Sequence, residues 1–296
     1  MRRLLLFLTL LLAGAAVQAA ELRVVASSTS MAALVREVAG SAAELQVLGP
    51  PDRDLHYLQL RPSMIRYLRD ADLVVAVGAE LEVGWLPLAL EQSTNTRVLP
   101  GQPGYFEAAA QVELRGAGAP ADRARGDVHP AGDPHVNMDP VRMARVAQAL
   151  AERLAALDPA REDDYRRRAE AFGERVRTRL ARWRQQVAGA PGVLLYHSGA
   201  EYLLERLEVP VLGYIEPIPG VPPTGRHLAQ LVAELEGRQG VIIHEPYYPE
   251  QAPRQLAERL GWPREVLAID PPLGSDGSGY LDHIGTWVEA VAAGAS

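Results

Sequence analysis

The chain has 296 residues, with 37 acidic against 30 basic side chains for a net charge of −7, and it contains no cysteine. The lack of cysteine excludes disulfides, thiolate metal sites, a cysteine nucleophile and a lipidated N-terminal cysteine. Any metal site must therefore use His and carboxylates, which suit borderline or hard cations, and the absence of a clustered basic face argues against nucleic acid.

Arg2 and Arg3, the apolar run Leu4–Ala16 and the small-residue stretch Val17-Gln18-Ala19-Ala20 read as a secretory signal peptide over residues 1–20. The run is short for a bilayer span, so cleavage after Ala19 or Ala20 is expected to release a soluble, non-lipidated periplasmic chain. Loss of the two arginines would leave 28 basic against 37 acidic side chains, a net charge of −9.

In chain order, Leu22–Ala26, Glu44–Leu48, Leu73–Val77 and Arg97–Leu99 read as buried strands, with helical patterns at Met31–Val38 and Met64–Ala71. A Gly-, Ala- and Asp-rich stretch, Gly116–Asp133, reads as an exposed loop. Asp158-Pro159 then starts a long helical segment that Gly189 and Pro191 stop. Within it Tyr165, Ala169, Phe172, Val176, Leu180 and Trp183 recur every three or four residues, giving one buried stripe among Arg and Glu. Beyond it, Val193–Tyr196, Val209–Tyr214, Val241–His244 and Val266–Ile269 read as strands, with helices beginning near Gly199, Gly225, Glu250 and Tyr280. Such alternation predicts an α/β fold of two lobes, each a parallel sheet flanked by helices, joined by one long rigid helix. The expected divisions are 21–158 for the first lobe, 159–188 for the connecting helix and 189–296 for the second lobe.

No phosphate-cradling loop, Gly-x-Ser-x-Gly elbow or His-Glu-x-x-His helix is present, so an enzyme reading starts without a signature. Of seven histidines, His56 follows the second strand, His135 precedes a helix and His197 ends a strand; Asp270 ends another. Ligands of open α/β sheets bind beyond the carboxyl ends of strands, so these four side chains could close a tetrahedral zinc site between the lobes. Each has a plainer role open to it. A strand-end His is commonly hydrogen-bonded or exposed, and Asp270 before Pro271 could start a turn. Asp133 and Asp139 read as turn or capping residues.

Several collinear motifs carry a resemblance: Asp54-Leu55-His56-Tyr57 with Arg61-Pro62-Ser63, Gly78-Ala79-Glu80-Leu81-Glu82, Asp133-Pro134-His135 with Asp139-Pro140, Tyr196-His197-Ser198, Glu216-Pro217 and Ile269-Asp270. Through them the chain resembles the zinc/manganese-binding solute receptors of bacterial ABC uptake systems. The resemblance implies His56, His135, His197 and Asp270 as metal ligands, a bound Zn2+ (Mn2+ in some members), and a membrane permease as partner of a monomeric, non-enzymatic carrier. His at position 197, where manganese-selective members carry Glu, points to zinc.

Two departures stand out. The first-lobe loop is short and holds only His129, a candidate auxiliary ligand. Asn137 and Met138 replace the residues usual after the second ligand. His227 reads as a residue in the first turn of a helix, His244 as a strand-end packing residue and His283 as part of the terminal helix, and none of them is assigned to the site. The rival readings are a zinc hydrolase, with Glu216 or Glu245 as base, and a receptor for a larger metal chelate.

Overall fold

The computed structural model describes residues 21–118 and 129–294, so the signal-peptide expectation and part of the Gly116–Asp133 loop lie outside the described residues. Four strands, β1 (Leu22–Ala26), β2 (Ala43–Val47), β3 (Leu73–Ala76) and β4 (Tyr105–Glu107), form a parallel sheet in the order β2-β1-β3-β4. A second parallel sheet repeats the arrangement with β5 (Val193–Leu195), β6 (Val211–Tyr214), β7 (Val241–His244) and β8 (Arg264–Val266), in the order β6-β5-β7-β8. Strand order reverses beside β1 in one sheet and beside β5 in the other. The crevice beyond the strand ends at such a point is where open α/β sheets receive ligands.

The helices start where capping chemistry permits. In α1 (Thr29–Ala39) the Ser28 side chain accepts from Met31 N at 3.2 Å, and Gly40, at φ 57°, ends the helix where a side chain would be strained. Pro62 opens α2 (Pro62–Asp70), and α3 (Leu86–Ser93) follows it. Asp139 caps α4 (Pro140–Leu157), accepting from Val141 N at 2.8 Å. After a 3-10 turn at Pro159–Arg161 comes α5 (Glu162–Gln186), roughly 37 Å long at about 1.5 Å per residue. The predicted stripe is its buried face: Tyr165, Ala169, Phe172, Val176 and Trp183 are covered and Leu180 is half-buried. Burial of side chains such as Phe172 and Val176 contributes roughly 1.5–3 kcal/mol each. The second half continues with α6 (Glu201–Arg206), α7 (Gly225–Leu235), α8 (Gln251–Leu260) and α9 (Gly277–Ala293).

The two halves are not separate bodies. One hydrophobic core runs through α1, α4, α5 and α9 and touches both sheets, so the last helix packs on the first. Polar contacts join the halves as well. Thr29 Oγ1 donates to Pro271 O at 2.6 Å, and Tyr202 OH donates to Asp133 O at 2.8 Å. Arg206 of α6 donates to the fully buried Asp139 at 2.7 Å.

Two strand expectations shift. Arg97–Leu99 is not a strand: Asn95 accepts from Arg97 N at 3.2 Å and donates to Leu68 O and Ala71 O, pulling Thr96–Val98 into a 3-10 turn. Tyr105–Glu107 pairs with β3 instead. Likewise, Val266–Ile269 is not the last strand. Pairing with β7 runs over Arg264–Val266, and Leu267 N makes one more bond to His244 O at 2.9 Å. Asp270 thus lies four residues beyond the strand, just before Pro271 and Pro272.

Candidate metal centre

Three histidines converge from three loops. His56 lies on a 3-10 turn, Leu55–Tyr57, whose preceding Asp54 uses one oxygen twice, accepting from His56 N at 3.0 Å and pairing with His56 Nδ1 at 2.7 Å. The same three-residue device recurs at His135, where Asp133 Oδ1 accepts from His135 N at 3.0 Å and pairs with Nδ1 at 2.8 Å. His197 follows β5, and its Nδ1 meets Glu216 Oε2 at 3.0 Å across the end of β6. Each carboxylate places the imidazole proton on Nδ1 and leaves Nε2 as an acceptor.

Ring centroids are 5.5 Å apart for His56 and His135, 5.8 Å for His56 and His197, and 5.3 Å for His135 and His197. One nitrogen from each of the three lies within 4.8 Å of the others. Nε2 of His197 is buried without a hydrogen-bond partner among the described residues. An orphaned acceptor of this kind is costly unless something fills the space in front of it.

Burial favours the neutral, metal-ready imidazole. It lowers the pKa of His135 against the opposing pull of the Asp133 hydrogen bond. For the carboxylates burial acts upward, yet hydrogen bonds from the His56 and His135 rings hold Asp54 and Asp133 below the usual carboxylate range.

His129 and Asp270 both border this group of three imidazoles. His129 Nε2 is 3.1 Å from His56 Nε2. Burial first, then the His56 and His135 rings, push its pKa from 6.5 down to about 3. With the His56 proton on Nδ1, His129 is the donor of that contact. Asp270, 7% exposed, accepts from Ser30 N through Oδ1 at 3.1 Å, at the amino end of α1. It lines a cavity of ≈ 20 Å³ together with His56, His135, Asn137 and Tyr247. That volume holds about one water-sized guest.

The other histidines are held by backbone carbonyls outside the group. His227 meets Tyr214 O at 2.9 Å, His244 meets Glu245 O at 3.1 Å, and His283 meets Ala268 O at 3.0 Å. Sequence reasoning missed the carboxylate partners. Asp133 read as a turn residue and Glu216 as a possible base, whereas both orient imidazoles. The repeated Asp-x-His spacing at 54–56 and 133–135 was the available signal. Glu245, buried and pushed well up in pKa by burial, makes no contact with the three imidazoles among the described hydrogen bonds.

Over residues 24–294 the sequence matches the family described as zinc-uptake complex component A, periplasmic. It is 23% identical to the iron-binding protein YfeA of Yersinia pestis, an alignment covering 93% of this chain and 87% of that one. The fold is similar to the crystal structure of ZnuA, with a TM-score of 0.78 at 18% identity, covering 93% of this chain and 100% of the other. It is also similar to the solute-binding protein FpvC of Pseudomonas aeruginosa in complex with Mn2+, with a TM-score of 0.76 at 22% identity over 93% and 98% of the two chains.

Proposed function

From the premise that the chain belongs to the zinc-uptake complex component A family, whose members are metal-binding receptors of ABC importers, we propose that it captures zinc in the periplasm and presents it to a membrane permease. The carrying observation is the buried group of three imidazoles, each with Nδ1 on a carboxylate and with the Nε2 of His197 unpartnered. His56, His135 and His197 supply three donors and Asp270 the fourth, with His129 as an auxiliary donor that meets the ion as it enters. Three imidazoles and one carboxylate form a donor set that suits tetrahedral zinc better than manganese, which prefers oxygen. The relatives bind several metals by name, iron and manganese among them, so the donor set is what favours zinc here.

Residues 21–158 form the first lobe, 159–188 the connecting helix and 189–296 the second lobe, and the ion sits between the lobes. Four protein donors leave no coordination position for a hydrolytic water, which opposes the hydrolase reading. The cavity of ≈ 20 Å³ that His56, His135 and Asp270 line together has room for about one water-sized guest, which suits a bare ion. No helix of the described residues is long and apolar enough to cross a membrane.

Calorimetric titration of metal-stripped protein tests the proposal. One tight zinc site per chain is expected, with weaker manganese binding and a large loss of zinc affinity in His197→Ala. Tighter binding of manganese than of zinc would leave a metal receptor of different selectivity. Binding of neither would refute the reading.

A further inference from the structure

Asn137 stands directly after His135 and Val136, in the 3-10 turn Val136–Met138, and only 3% of it is exposed. A buried amide needs partners, and its partners here are specific. Nδ2 donates to Ser30 Oγ at 3.2 Å and to Ile269 O at 3.4 Å, while the Asn137 backbone carbonyl accepts from Tyr280 OH at 2.7 Å. Both side-chain partners flank the same carboxylate. Ser30 is the residue whose N–H holds Asp270 Oδ1 at 3.1 Å, and Ile269 immediately precedes Asp270. Asn137, Ser30, Asp270 and Ile269 thus form a closed ring of contacts across the lobe boundary, beside the cavity that Asn137 and Asp270 line together.

We propose that Asn137 is a specificity-determining positioning residue: by bracing both sides of the Ser30–Asp270 contact it keeps Oδ1 of Asp270 committed to α1 and leaves only Oδ2 to offer a cation. The inference rests on the reading of Asp270 as the fourth donor. A one-oxygen carboxylate beside three imidazoles completes four-coordination, which zinc accepts. Manganese favours more oxygen ligands, and a carboxylate released to turn both oxygens inward would serve it better. Asn137 acts through Asp270 and does not itself touch the ion.

The test uses the full mature protein, stripped of metal and loaded with Co2+ as a spectroscopic stand-in, with zinc and manganese affinities measured in parallel. The wild type should show the intense visible absorption of four-coordinate cobalt. Asn137→Leu, of similar volume, should weaken that absorption toward the pattern of higher coordination. It should also reduce the preference for zinc over manganese by about tenfold or more, the scale typical of lost outer-sphere partners. Ser30→Ala removes one arm of the brace while keeping the Ser30 N–H, and should move both readouts the same way by less. It carries the test should Asn137→Leu fail to fold by circular dichroism. A folded variant with the wild-type cobalt spectrum and the wild-type zinc preference overturns the proposal. A wild type that binds neither cobalt nor zinc instead overturns the metal reading beneath it.

Discussion

At the scale of single residues, the three imidazoles are oriented by carboxylates. Asp133 bonds both the backbone N–H and Nδ1 of His135, and Glu216 receives Nδ1 of His197. Asp133→Asn and Glu216→Gln keep size and remove charge, so each should lower zinc affinity by roughly 10–100-fold with little change in melting temperature. Unchanged affinity in both variants would show that the imidazoles orient themselves. Protonation gives a second prediction. His129, pushed down to about 3, and His135, lowered by burial, stay neutral in the fold where an unfolded imidazole titrates near 6.5. Below pH 6.5 the unfolded chain takes up protons that the folded chain refuses, so stability of the metal-free protein should fall with acidification from 6.5 toward 3. Urea midpoints at pH 7 and pH 5 check the sign, and His129→Gln should shrink the difference between them.

At the scale of elements, Asp139 does three things at once: it caps α4, pairs with Arg142 of the same helix and receives Arg206 of α6 from the opposite sheet. Its carboxylate is fully buried, so Asp139→Ala should cost on the order of 3 kcal/mol, combining a lost cap with lost charged hydrogen bonds. Arg206→Met should cost much less, because Arg142 remains. Denaturant titration of the two variants separates them. The cap was legible in the sequence, since Asp before Pro at a helix start has a local cause. The partner on α6 was not, because Arg206 meets Asp139 only through tertiary packing. Strands follow the same division. Leu73–Val77 is a continuous apolar run and was placed to within a residue, while Arg97–Leu99 was apolar enough to mislead. There the Asn95 amide found two carbonyls at the carboxyl end of α2 and turned the chain before it could pair. The three converging histidines were legible as types and positions, but the 3.1 Å approach of His129 to His56 joins residues 73 positions apart, which no local pattern encodes.

For the whole molecule, the long helix and the shared core set the mechanical character. The apolar stripe of α5 joins α1, α4 and α9 in one cluster, and no exposed hinge interrupts it among the described residues. Metal loading should therefore bring small lobe rocking and local reordering at the site in place of wide closure. The radius of gyration from small-angle scattering should change by less than about 1 Å between stripped and zinc-loaded protein, as expected when interface backbone moves little on binding. The most direct test of the central claim is X-ray absorption at the zinc edge on a one-to-one zinc complex. A four-coordinate ion dominated by imidazole nitrogen is expected, with Zn–N near the usual ~2.0–2.1 Å. A first shell made mainly of oxygen, or an ion lost on gel filtration, would contradict it.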